Sequence, residues 1–143
     1  MTYQVSVFLE NRLGRLEKVT AVLREAEINI RSIHLNHTAN DWGILNLVVS
    51  RPELACEKLN ANGMSAALRE IVVLKMDDKP GGLDVLLKAI AAAGVNFTNA
   101  NGRIVNEGGS AFFMVDVQDI PEARSRLAGA GLEIIEDAQV YGP

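Results

Sequence analysis

Two short segments carry the residues best suited to chemistry: Glu10-Asn11-Arg12-Leu13-Gly14-Arg15-Leu16 and Asp77-Asp78-Lys79-Pro80-Gly81-Gly82-Leu83. In each, charged and amide side chains run into glycine just before an apolar stripe of helical spacing. Glycine permits positive φ and close approach of the backbone to a ligand, and the free N–H groups of a helix start welcome a carboxylate. A strand-to-helix turn also favours glycine for purely structural reasons, and this motif alone leaves both readings open. Asparagine suits a zwitterion, because one amide supplies a donor for a carboxylate and an acceptor for an ammonium group. Asn29 and Asn96 follow the two helical stripes at equivalent places and carry the same double reading: ligand contact, or a bend in which asparagine tolerates left-handed φ.

Other chemistries find little support. His34 and His37, three apart on a strand, point to opposite faces and cannot share one metal ion without a bulge. Cys56 lies among Leu54, Ala55 and Leu59 on an expected helix, with no base beside it to activate a thiolate. Glu25, Glu27, Glu57 and Glu70 read as solvated faces or ends, not as a carboxylate pair held in apolar surroundings. No Ser or Cys triad order is visible, and no catalytic residue, metal or cofactor is expected. Trp42 reads as a packing or interface residue.

The elements that must position these residues come in two copies. At an offset of 67, Val5, Val7 and Leu9 meet Val72, Leu74 and Met76, and Leu16, Val19 and Leu23 meet Leu83, Leu86 and Ile90; Gly14 meets Gly81. Ala26 to Ile30 meets Ala93 to Phe97. Farther on the offset becomes 68, where Leu45, Leu47 and Val49 meet Phe113, Val115 and Val117, as if one hairpin loop had gained a residue. Each copy reads strand, helix, strand, strand, helix, strand, with a capping box at Ser50-Arg51-Pro52-Glu53 and its counterpart at Asp119-Ile120-Pro121-Glu122. Thr38-Ala39-Asn40-Asp41 makes the first hairpin, and residues 65–69 and 132–140 are the expected closing strands. The fold class is α+β: two ferredoxin-like βαββαβ repeats, residues 1–69 and 70–143, with antiparallel sheets and helices on one face.

The bulk numbers fit such a pair. The chain has 143 residues, of which 48% are hydrophobic and 22% charged, enough apolar side chain for real cores. A net charge of −4 without Lys/Arg clusters argues against nucleic acid as a partner. Apolar runs such as Ala89 to Val95 fall far short of the ~20 residues of a membrane span. A start without an apolar leader and a lone cysteine point to the cytoplasm. Ile71, Val73, Phe112 and Met114 make a sheet face too apolar for water, which must be covered.

Leu9 to Leu16 followed by Glu27-Ile28-Asn29-Ile30 resembles the signature of ACT domains, regulatory modules of amino-acid metabolism found in phosphoglycerate dehydrogenases, aspartokinases and acetolactate synthase small subunits. Pro80-Gly81-Gly82-Leu83 with Gly94-Val95-Asn96-Phe97 repeats it, so the resemblance covers nearly the whole chain. It implies a non-catalytic regulatory or sensor protein with a free amino acid bound between paired units. The residues it implies are Asn11, Leu13, Gly14, Arg15, Asn29 and Ile30 in the first copy, and Asp78, Pro80, Gly81, Gly82, Asn96 and Phe97 in the second. Leu13 stands where the family often has proline, and Asp78 where it often has asparagine. An acidic Asp78 repels a carboxylate, which makes the two sites unequal. A homodimer and a regulated metabolic enzyme are the implied partners, with no nucleic acid and no membrane. The nearest alternative is the acetolactate synthase small subunit, similar through Asn29-Ile30-Arg31-Ser32-Ile33 but with a different second half; a small ferredoxin-like enzyme is the alternative from another class.

Overall fold

The computed structural model describes residues 1–38 and 40–142; Ala39 of the expected first hairpin loop and Pro143 lie outside the described residues. The chain divides into two compact units, one of Tyr3–Arg69 with residues 138–142, the other of Met1–Thr2 with Glu70–Asp137.

In the first unit β1 (Thr2–Glu10), α1 (Arg15–Glu25), β2 (Ile30–His37), β3 (Trp42–Val49) and α2 (Pro52–Ala61) follow in order, and β4 (Ser65–Asp77) begins after them. β3 lies between β1 and β2, antiparallel to both, with Val5 opposite Leu47, Glu10 opposite Trp42 and His37 opposite Gly43. The alternation in β1 sends Val5, Val7 and Leu9 to the face that meets Val19 and Leu23 of α1 and Ala55 and Leu59 of α2, forming one core. Fully burying a side chain such as Leu23 contributes about 1.5–3 kcal/mol. Asn40 and Asp41 turn the hairpin with φ of 63° and 60°.

The second unit repeats the plan with the later part of β4, then α3 (Gly82–Ala92), β5 (Asn99–Ile104), β6 (Ser110–Asp116) and α4 (Ile120–Gly129). β6 lies between β4 and β5, and its Phe113 and Val115 join Val72, Leu74, Leu86, Ile90 and Leu127 in a second core. Four residues separate β2 from β3 and five separate β5 from β6, which is the extra loop residue behind the change of offset. Ile71, Val73, Phe112 and Met114 are buried within the single chain, between 1% and 6% exposed.

Three local expectations are corrected. Ser50 does not cap α2: the N-cap is Arg51, without a side-chain bond, and the Ser50 hydroxyl accepts the Asn29 N–H at 3.0 Å. Its counterpart Asp119 does cap α4, accepting the Glu122 N–H at 3.1 Å. Residues 132–140 form no full closing strand. Leu74 pairs with Ile134 as an isolated bridge, and Asp137–Tyr141 is a short helix, α5. Tyr141 of α5 is held by the first unit: its hydroxyl accepts the Tyr3 N–H at 2.7 Å, and Arg31, at a bulge in β2, donates to its carbonyl at 2.6 Å. Last, left-handed φ at the helix-to-strand bends falls on Glu27 (57°) and Gly94 (75°), not on Asn29 and Asn96. Each occupies the position after a helix C-cap where backbone N–H groups bond back across the last turn, Glu27 to Arg24 and Ile28 to Leu23, Gly94 to Ala91 and Val95 to Ile90.

Candidate functional site

The first turn is built from the end of β1 and the start of α1. Gly14 is the N-cap of α1 with φ of 82°, a left-handed conformation that glycine adopts without strain. Asn11 is anchored by its N–H, which donates to the Asp41 carbonyl at 2.6 Å, and its side-chain nitrogen lies 3.4 Å from His37 Nδ1. Because β1 and β2 both register on Gly43 of β3, through Leu9 and His37, the turn faces the end of β2. A cavity of about 340 Å³ opens there, with Leu9, Leu16 and Leu35 as its apolar wall and Glu10, Asn11, Arg12, Arg15 and His37 as its polar groups. Arg12 Nε is 2.7 Å and Arg15 Nη2 3.9 Å from Glu10 Oε2. This carboxylate oxygen is buried beside the two guanidinium groups, and its contact with Arg12 is an ion pair and not a directed hydrogen bond.

Of the residues expected from sequence in this copy, Asn11 and Arg15 line the cavity, Gly14 shapes the turn beside it, and Leu13 is fully exposed. Glu10 and Arg12, within the turn segment singled out from sequence but not among its expected ligand contacts, also line this cavity, as do Leu35 and His37 from outside that segment. For Leu35 and His37 the missing information was register: only pairing with β3 brings them beside Leu9.

The second turn is closed differently. Gly81 repeats Gly14 with φ of 83°, and Gly82 is required, because a Cβ there would overlap the Asp77 carbonyl oxygen. Asp78, in the place of Asn11, turns its carboxylate to the Gly108 N–H at 2.8 Å, while its own N–H donates to the Gly109 carbonyl at 2.9 Å. Pro80 is exposed. Asp78 thereby ties the turn to the β5–β6 hairpin.

Asn29 and Ile30 are not brought to the turn. They sit at the other end of the sheet, about 20 Å away, since Gly43 to Val49 is six steps along β3 at about 3.3 Å each. Ile30 packs on the first core, and Asn29 is exposed. The second unit has the same separation: Asn96 lines a cavity of about 240 Å³ with Gly94, Asp119 and Arg126, at the end of β6 away from Gly81. Phe97 packs against the second core, edge-on to Phe113 at 5.9 Å. His34 and His37 register on Asn46 and Gly43, on opposite faces, and no group of metal-ligating residues occurs among the described residues. No helix among the described residues is long and apolar enough to cross a membrane.

These features define a pair of ferredoxin-like modules, each with a glycine turn between its first strand and first helix. The model of the ACT domain pair matches residues 1–141, and the chain belongs to that family. Among solved structures it is similar to a protein from Bacteroides thetaiotaomicron, with 27% identity over 99% of this chain and 96% of that one and a TM-score of 0.89. It also shares its fold with the regulatory subunits of aspartate kinase from Thermus thermophilus and Thermus flavus. The first is 18% identical over 90% of this chain and 92% of that one, with a TM-score of 0.65. The second is 17% identical over the same shares, with a TM-score of 0.60. Among curated proteins none matches the chain.

Proposed function

We propose that the chain is a non-catalytic sensor of amino-acid metabolism, two repeats divided after residue 69, which binds a free amino acid at the first turn and regulates a metabolic enzyme in the cytoplasm. The observation that carries this reading is the cavity beside Gly14, which offers both charges, an amide and an apolar wall in about 340 Å³. Arg12 and Arg15 suit the ligand carboxylate, the Asn11 amide oxygen suits the ammonium, and Leu9, Leu16 and Leu35 suit an aliphatic part. The second turn, with Asp78 engaged by Gly108, is the weaker site, so Pro80, Gly81 and Gly82 serve the fold there more than a ligand.

The exposed Asn29, far from the turn of its own unit, suits a contribution across a contact with a second copy of the chain, which makes the homodimer part of the same proposal. β2 suits such pairing. Among the described residues it pairs only with β3, Ser32 to His37 carry no proline, lysine or acid to blunt the edge, and Ile33 and Leu35 are 48% and 49% exposed. The family match over residues 1–141 as a pair favours this reading over the acetolactate synthase small subunit, whose second half differs.

A panel of free amino acids, screened by thermal melting and calorimetry, tests the proposal. At 100 times its dissociation constant the ligand should add about 2.7 kcal/mol, a rise in Tm of roughly 5–10 °C at about 2–4 °C per kcal/mol. If every amino acid leaves the melting curve unmoved at millimolar concentration, the proposal is wrong.

A further inference from the structure

A second cavity of the first unit, about 280 Å³, opens on the other side of Glu10, lined by Phe8, Glu10, Arg15, Lys18, Trp42 and Met64 among others. Phe8 and Trp42 stack with ring centroids 4.6 Å apart and planes 8° from parallel, yet Phe8 remains 47% exposed. A stacked aromatic pair left half in water on the wall of a cavity is a flat apolar surface that the core does not use. The other wall carries cations. Lys18 makes no ion pair among the described residues, and the carboxylate beside Arg15, Glu10, is 3.9 Å away and already close to Arg12. Both cations stand at the start of α1, where the helix N-terminus adds to the positive field.

The second unit isolates the feature. Its cavity at the corresponding place, about 370 Å³, has Lys75 in the position of Phe8, Gly82 in that of Arg15 and Val85 in that of Lys18. The aromatic surface is lost there, and the two lysines that line the cavity, Lys75 and Lys79, are already paired with Glu133 and Asp77.

We propose that this cavity is a second small-molecule site and that it takes an aromatic carboxylate, the ring lying on the Phe8–Trp42 pair and the carboxylate between Arg15 and Lys18. It shares Leu9, Glu10 and Arg15 with the turn cavity but involves neither Asn11 nor Leu35, whereas Phe8, Trp42 and Lys18 line this cavity and not the turn.

Trp42 is the chain's one tryptophan, so its emission reports on this wall directly. Titration with phenylacetate should change Trp42 emission saturably, whereas benzylamine, with the ring but a positive charge, and acetate, with the charge but no ring, should not. Lys18→Val and Phe8→Lys, which install the second unit's residues at exposed positions, should each weaken phenylacetate by about tenfold or more. Leu35→Lys, which obstructs only the turn cavity, should leave phenylacetate binding unchanged while removing that of a free amino acid. Failure of the amino-acid panel with phenylacetate still bound would remove the turn reading alone. An absent or non-saturable response to phenylacetate, an equal response to benzylamine, or unchanged affinity in both Lys18→Val and Phe8→Lys with native circular dichroism would overturn this proposal.

Discussion

At the first turn Asn11 is tied through its backbone to Asp41 and sets its amide against His37 beside an open cavity; at the second, Asp78 spends its carboxylate on Gly108 of the neighbouring hairpin. Both turns keep the same glycine, Gly14 and Gly81, with φ of 82° and 83°. The backbone device is thus shared while the side-chain chemistry has diverged, and the position after the glycine shows it again. Arg15 reaches toward a cavity, whereas Gly82 leaves no space for any side chain against Asp77. The shared glycine sets the backbone of both turns, and the residue three before it decides whether the side chain there faces a cavity or ties the turn to the hairpin.

The largest expected effect follows from that close contact. Gly82→Ala should destabilise the protein by about 3 kcal/mol, because a methyl forced onto the Asp77 carbonyl must displace backbone. The Tm should drop by roughly 6–12 °C, while Arg15→Ala at the matching place should stay within about 0.5 kcal/mol. Equal costs in thermal melts of the two variants would mean that the turns are not built differently after all.

Asn11→Asp makes the first turn resemble the second and should act on binding more than on folding. It removes an amide donor and adds a charge that repels the ligand carboxylate, a loss of about 1.5–3 kcal/mol, or roughly 10- to 150-fold in affinity. Calorimetry with the amino acid found in the panel measures this. An unchanged affinity would take Asn11 out of the site.

The helix starts offer a smaller contrast. Asp119→Ala removes a true N-cap from α4 and should cost about 1 kcal/mol. Ser50→Ala removes no helix cap; it frees the exposed Asn29 N–H and should cost about 0.5 kcal/mol, with the loss of amide protection in hydrogen exchange confined to Asn29. Exchange spreading into the first turn of α2 would restore Ser50 as its cap.

How far the sequence could be read follows from the range of the interactions involved. Strand alternation at Val5, Val7 and Leu9, the stripe through Val19 and Leu23, and the glycine turns are local signals, and each marks its element in the structure. The capping motif at Ser50 misled because a hydroxyl next to a helix start has two possible donors, and the one across the bend lies 21 residues back. Residues 132–140 looked like a strand by composition, yet Tyr141 finds Tyr3 and Arg31 across most of the chain's length, and no local pattern encodes that contact. Leu35 and His37 were legible as strand residues but not as cavity residues, since their neighbours are set by the pairing of β2 with β3.

The smallest effect tests the likeness of the two units most directly. All four long helices end with the same backbone pattern, in which the residue after the C-cap bonds back across the last turn: Glu27 to Arg24, Gly63 to Asn60, Gly94 to Ala91 and Gly131 to Ala128. Three of these residues are glycines with φ between 75° and 81°, and Glu27, at 57°, is the exception. A side chain in the left-handed region costs about 1–2 kcal/mol relative to the right-handed one, whereas glycine enters it freely but loses roughly 0.5–1 kcal/mol more conformational entropy on folding. Glu27→Gly should therefore stabilise the protein by a few tenths of a kcal/mol and by no more than about 1 kcal/mol. Arg51, which donates to the Ala26 and Glu27 carbonyls at 3.1 and 2.9 Å, bonds only backbone there and keeps both contacts in the variant. If the melting temperature falls instead, the Glu27 carboxylate has a role that Gly94 cannot share, and the two bends, alike in backbone, would differ in their side-chain contacts as the two turns do.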